Sequence, residues 1–152
     1  MNTITKEEIA EKRRLHEIYI WGHKGGVKAD FSNMDLCGEN LSNANLCDAN
    51  LRDANLSYAN LRGANLSDAN LCDADLNNAD LRGANLCDAN LYGVDLSYAD
   101  LRGANLCDAN LRDANLRDAD LSFANLCDAT LSCANLCCAN LSGANLIGTI
   151  FN

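Results

Sequence analysis

Ala84-Asn85-Leu86-Cys87-Asp88, Ala89-Asn90-Leu91-Tyr92-Gly93, Val94-Asp95-Leu96-Ser97-Tyr98 and Ala99-Asp100-Leu101-Arg102-Gly103 are four copies of one five-residue unit. The unit runs in both directions without insertion or deletion, from Ala29 to the C-terminus, with a bulky apolar centre at every fifth position from Phe31 to Phe151. Of twenty-five centres, twenty-three are Leu and the two end ones Phe; twenty-one carry Ala two residues earlier. A five-residue step turns an α-helix by about 140°, which would scatter the leucines around its circumference, so a helical reading of residues 29–152 fails. In a strand, positions i and i−2 share a face: Ala and Leu point inward together, while the Asn or Asp between them and the residue after Leu point outward. The fifth position must turn the corner. Nineteen of its twenty-four occurrences are Gly, Asp or Asn, the types that tolerate turns and left-handed backbone.

The number of units per coil is also written in the chain. Leu-Arg-Gly-Ala recurs at Leu61, Leu81 and Leu101, and Leu-Cys-Asp-Ala at Leu86, Leu106 and Leu126, both at twenty-residue spacing. Four units per coil give a square cross-section and about six coils, a rod about 30 Å tall at the roughly 4.8 Å separation of stacked strands. Over residues 29–152 the Ala-(Asn/Asp)-Leu-x-x unit resembles the pentapeptide-repeat family, whose fold is an all-β solenoid, the right-handed quadrilateral β-helix. The preceding segment, His16, Tyr19-Ile20, Gly22, Gly25-Gly26 and Lys28-Ala29-Asp30, resembles the helix and glycine turn that cap the first coil in many bacterial members. The expected organisation is therefore a cap over residues 1–28 and a solenoid over residues 29–152. Within the cap, Thr5 to Glu8 has capping-box spacing, and Ile9, Leu15, His16, Tyr19 and Ile20 share a face of a helix over residues 5–21.

The chain has 152 residues and a formal net charge of −9. Six Lys/Arg face four Glu in residues 1–28, whereas the solenoid carries seventeen Asp/Glu against six Arg, so the rod is the acidic part. No apolar run reaches the length of a signal core or a membrane span, and a cytoplasmic location is expected. Nine Cys, an odd number and mostly at the outward position after Leu, read as free thiols rather than a disulfide framework.

Folding the chain on its twenty-residue period gives four different faces. One stacks Asp48, Asp68, Asp88, Asp108 and Asp128 at the corner, preceded by Cys47, Ser67, Cys87, Cys107 and Cys127, with no basic residue on that face. Asp is a good corner residue, and repetition of a duplicated segment is one reading of the column. The other is a charge ladder: a spacing near 4.8 Å approaches the phosphate every 3.4 Å along a DNA strand. The family resemblance implies a partner for that second reading, since some members mimic duplex DNA and bind type II topoisomerases such as DNA gyrase. Direct nucleic-acid binding is not expected of an acidic rod. A second face stacks Arg62, Arg82 and Arg102 near Asp80, Asp100 and Asp120, where opposite charges should neutralise each other. A third sets Arg52 and Arg112 beside Asp53, Asp73 and Asp113, and a fourth sets Tyr58 and Tyr98 beside Asp35, Asp75, Asp95 and Arg117.

Catalytic and cofactor residues are not expected: His16 and His23, the two histidines, both lie in the cap, and outward serines such as Ser57, Ser97 and Ser132 lack a base. No metal site is expected either, because stacked Cys87, Asp88, Cys107, Asp108, Cys127 and Asp128 form lines, whereas structural zinc wants four converging ligands. The column thiols should stay reduced, since parallel stacking holds Cβ atoms near 4.8 Å rather than the ~3.8 Å a disulfide prefers. In the first coils two inward positions depart from Ala, Met34 and Glu39. Glu39 either meets Lys12, Arg13 or His16 from the cap or reaches water. The C-terminal end carries no covering segment, so Ile147, Ile150 and Phe151 either contact a second copy in a tail-to-tail homodimer or fold over the last coil. The sequence thus reads as a non-enzymatic rigid binding or scaffold protein whose protein partner it does not name.

Overall fold

A computed structural model describes residues 2–152. Its elements are β1 (Asn2–Thr3), α1 (Lys6–Ile20) and β2 (Met34–Asp35), followed by a ladder of isolated parallel bridges. The bridges join residues twenty apart, from Asp30↔Asn50 to Thr130↔Ile150. Each side of a coil is too short to count as a strand. It nevertheless makes the same three inter-coil backbone bonds: in the unit around Leu86, the Leu86 N–H donates to Asn105 O at 2.7 Å, Asp88 N–H to Cys107 O at 2.9 Å, and Asn85 N–H to Ala64 O at 2.9 Å.

The corner makes this register attainable. All twenty-four corner residues from Asn33 to Gly148 have positive φ, between 54° and 72°, and seventeen of them are not Gly. Left-handed backbone costs an L-residue about 1 kcal/mol. Asp and Asn reduce that cost by local hydrogen bonding, but Tyr58, Tyr98, Phe123, Cys133 and Cys138 have no such device and are held by the ladder on either side. Inside, Leu36 to Leu126 are fully or almost fully buried, and the Ala column beside them from Ala44 to Ala129 is as dry.

The Asn between Ala and Leu points outward, yet it does more than face water. On the face around Leu86, Asn65, Asn85, Asn105, Asn125 and Asn145 each donate Nδ2–H to the Asn Oδ1 one coil earlier, at 2.8–3.2 Å. The same Oδ1 atoms accept the backbone N–H two residues on, as in Cys87 N–H to Asn85 Oδ1 at 3.3 Å. One side chain closes the turn and links the coils. Not every residue after Leu is exposed either. Ser57, Ser97, Ser122 and Cys72 are buried, and the Ser57 and Ser97 hydroxyls donate to Asn55 and Asp95 at 2.6 Å. Small side chains here fold back onto the Asn or Asp column, where larger ones reach solvent.

The N-terminal segment meets the first coil at three places. Thr5 and Glu8 form the reciprocal capping box of α1, with Glu8 Oε2 accepting the Thr5 N–H at 2.8 Å. Ile9 is buried with Phe31, and the Lys12 ammonium lies 5.9 Å from the Phe31 ring centroid. His16 is fully buried and its Nδ1 accepts the Ala29 N–H at 3.1 Å, so the proton of the neutral ring sits on Nε2, which nears the Cys47 backbone without a well-formed hydrogen bond. Burial holds the His16 pKa below its ordinary value. Gly26 permits the return from α1: a Cβ there would lie 2.2 Å from the Tyr19 backbone nitrogen. The polar opening of the chain carries β1, which pairs in parallel with β2 in the register Asn2↔Met34 and Thr3↔Asp35. No sequence pattern announced that strand; it forms because the first coil offers an unpaired edge.

Glu39 makes no ion pair or hydrogen bond with Lys12, Arg13 or His16 and is only half-buried, so of the two alternatives it follows the one in which it reaches water. Met34 is likewise half-buried and packs on the core. At the other end, among the described residues, the Leu136, Leu141 and Leu146 N–H groups make no backbone bond, and Ile147 (73% exposed), Ile150 (45%) and Phe151 (51%) face outward.

Leu91 is fully buried with coils on both sides, whereas Leu146 is 38% exposed. Leu91→Asp should therefore remove the circular-dichroism melt, a loss of more than about 4 kcal/mol, while Leu146→Asp should lower stability by about 1 kcal/mol and leave the spectrum intact. Equal loss in both variants would refute this ordering.

Candidate interaction faces

Asp48, Asp68, Asp88, Asp108 and Asp128 stand in one column: each backbone N–H donates to the residue one coil on, at 2.8–3.0 Å, and each φ is between 56° and 64°. The column is not purely acidic. Lys28 occupies its first corner, twenty residues before Asp48, and its Nζ lies 2.6 Å from Asp48 Oδ1. The Tyr19 hydroxyl donates to Asp48 Oδ2 at 3.0 Å. These two groups hold the Asp48 carboxyl below the usual range, Lys28 most strongly. The expectation of a face without a basic residue is corrected on this point: Lys28 belongs to the segment before the first repeat, so the repeat pattern did not count it.

Below Asp48 the carboxylates have no cation. Among the described residues, Asp68, Asp88, Asp108 and Asp128 make no ion pair; Asp88, Asp108 and Asp128 instead accept the thiols of their preceding cysteines at 3.0–3.1 Å. Accepting these hydrogen bonds favours the protonated sulfur. With burial and the neighbouring charges it pushes Cys87, Cys107 and Cys127 up to about 11.

Two of the three arginines on the Arg face pair as the stacking implied, while Arg62 makes no ion pair among the described residues. Arg82 spans Asp80 (2.5 Å) and Asp100 (3.5 Å), and Arg102 spans Asp100 (2.7 Å) and Asp120 (3.8 Å), so each guanidinium sits between like charges that the register would otherwise stack directly. The Arg82 partner holds the Asp80 carboxyl below its ordinary value. Half-exposed pairs of this kind contribute little each, and their main effect is to make Asp-on-Asp stacking tolerable. Arg52 bridges Asp53 (3.1 Å) and Asp73 (3.4 Å) on the third face, and Arg117 meets Asp118 at 3.1 Å on the fourth. A shallow cavity of about 430 Å³ lies beside Lys28, Asp30, Asn50 and Arg52, but both its cations are already paired.

A parallel solenoid of twenty-residue coils, whose outer side chains stand in fixed columns, defines a β-helical repeat protein. Residues 27–152 match the model of the pentapeptide repeats, and the chain belongs to that family. No curated protein sequence matches it. Among solved structures, it is similar to HetL, a pentapeptide-repeat protein involved in heterocyst differentiation regulation from the cyanobacterium Nostoc sp. strain PCC 7120. Identity is 36% over 82% of this chain and 69% of that one, with TM-score 0.39. Rfr23 from the cyanobacterium Cyanothece 51142 is 28% identical over 95% of this chain and 99% of that one, with TM-score 0.44. QnrB1, a plasmid-mediated fluoroquinolone resistance protein, is 24% identical over 79% of this chain and 63% of that one, with TM-score 0.46. No helix among the described residues is long and apolar enough to cross a membrane.

The thiols give a direct test of the column's electrostatics. Asp108→Asn removes the negative charge that holds Cys107 protonated and leaves only a weaker neutral amide acceptor, so its pKa falls from about 11 toward the ordinary value near 9. At pH 8 the reactive thiolate fraction then rises, and alkylation of Cys107 by iodoacetamide should accelerate at least about tenfold. An unchanged rate, read by peptide mass spectrometry, would show that Asp108 does not control the thiol.

Proposed function

We propose that this chain is a non-enzymatic, rigid β-helical scaffold: a right-handed quadrilateral helix of about six coils over residues 29–152, capped by the helix and glycine turn of residues 1–28, which presents its faces to a protein partner. The carrying observation is the uninterrupted i to i+20 ladder from Asp30 to Ile150, which holds every outer column in a fixed position. Rigid columns favour recognition, because no loop must be ordered on binding. The face best suited to it is the one bearing Asp68, Asp88, Asp108 and Asp128, where charge is not cancelled within the molecule. The exposed end at Ile147, Ile150 and Phe151 belongs to the same reading as the contact for a second copy, tail to tail. Cytoplasmic location is part of this proposal.

A second reading is favoured by that same column: a DNA-mimicking modulator of a type II topoisomerase such as gyrase. Only four unpaired carboxylates remain in line once Lys28 has neutralised Asp48, a short stretch of duplex charge, so we place the general scaffold first. Gyrase supercoiling with and without a quinolone, using wild type and the combined Asp88→Asn, Asp108→Asn and Asp128→Asn variant, separates the two. The scaffold reading expects no inhibition and no protection at micromolar protein. Inhibition or protection by wild type that the triple variant loses would establish the second reading. Light scattering on the same samples tests the end contact: a dimer mass reduced to monomer by Ile150→Asp is expected, and a monomer at every concentration would remove it.

A further inference from the structure

The line of sulfur that argues against zinc suits a different coordination. Cys87, Cys107 and Cys127 occupy one outer position on three successive coils, and the ligand atoms of Cys87, Cys107 and Asp108 all lie within 4.8 Å of one another. Cys127 continues the column: its carbonyl accepts the Asp108 N–H at 2.9 Å. With a metal–sulfur bond of about 2.3 Å, tetrahedral geometry sets two sulfurs about 3.8 Å apart, whereas a linear S–metal–S unit sets them about 4.6 Å apart. Parallel stacking offers about 4.8 Å. The backbone spacing of adjacent coils therefore matches the span of a linear site, and the Cys87 and Cys107 sulfurs, within 4.8 Å of each other, can reach it by side-chain rotation without moving the backbone. Thiolates select soft ions such as Cu(I) over magnesium or calcium, and the linear arrangement separates the monovalent soft ions from zinc.

We propose that Cys87 and Cys107 form a two-coordinate thiolate site for a soft monovalent cation of the Cu(I) class, with Cys107 and Cys127 as an alternative pair sharing the central sulfur. Binding breaks two S–H bonds, forms two S–metal bonds and releases two protons, with no change of oxidation state. Asp88 and Asp108 accept the two thiol protons before they pass to water, and the acidic column draws the cation to the face.

The test uses the whole chain with Cys37, Cys47, Cys72 and Cys137 replaced by Ser, the residue that this chain already places after Leu at Ser57, Ser67 and Ser97, and the corner residues Cys133 and Cys138 replaced by Asn, which it already places at the corner at Asn43 and Asn78. Ag+ in chloride-free buffer is the probe, Zn2+ its comparator, and circular dichroism verifies that each variant keeps the fold. One Ag+ per chain, two protons released per ion, and two sulfur neighbours by X-ray absorption are expected. Cys87→Ser leaves the Cys107–Cys127 pair and should retain the ion, whereas Cys107→Ser leaves sulfurs two coils apart and should weaken binding roughly 100-fold, because bivalent capture is lost. Binding unaffected by Cys107→Ser, equal loss in Cys87→Ser, or tighter binding of Zn2+ than of Ag+ would each overturn the proposal.

Discussion

The positive φ at every fifth residue is the constraint on which the rest depends. A chain that turns left-handed after each Leu returns under itself after twenty residues, and only then do the Leu N–H groups as far as Leu131 find a carbonyl, mostly of Asn or Asp, one coil away. Backbone pairing in turn holds the corner, since Tyr58 or Phe123 would not keep φ near 59° on its own. Neither the turn nor the ladder is stable alone, because a single unit buries nothing and a single coil leaves both edges unpaired. Stability must therefore be shared among neighbours, and the ends are where it is weakest.

The two ends solve the edge problem differently. At the first coil, β1 supplies a partner strand, α1 covers Phe31, and His16 accepts the otherwise unpaired Ala29 N–H. That histidine acts as an acceptor only while neutral. Its pKa is depressed by burial, so the stability it contributes is present above the unfolded value of about 6.5 and declines as pH falls below it. The last coil shows bare N–H groups and apolar side chains instead, an edge able to pair with another chain.

Much of this architecture was legible in the sequence, because a pattern with one solution leaves little to infer: the inward Ala and Leu, the corner, the twenty-residue register and the Arg82 and Arg102 neutralisation all follow from spacing. What escaped reading depends on side chains whose role the repeat does not encode. Asn85 and its stacked equivalents look like solvent-facing filler until their amides are seen to link coils. Lys28 precedes the first repeat, so its place at the head of the Asp column is visible only once the coil closes. Glu39 sits in an Ala position, yet it is left half-buried and unpaired with the cap. Of the candidate site, the positions could be read and the interactions could not, since thiol-to-carboxylate bonds such as Cys107 to Asp108 are set by side-chain rotamers.

Amide hydrogen exchange across residues 46–128 tests the ladder most directly. Within each unit the Leu, corner and Asn N–H groups donate to neighbouring coils, whereas the residue after Leu donates only to a side-chain Oδ1, as Arg82 does to Asp80 at 3.2 Å and Cys107 to Asn105 at 3.4 Å. The expected result is a five-residue period of protection, with the amides of residues such as Arg82, Cys87 and Cys107 exchanging fastest and those of the flanking Leu and corner residues slowest. Uniform exchange along this stretch, or protection without the five-residue period, would contradict the stacked-coil account.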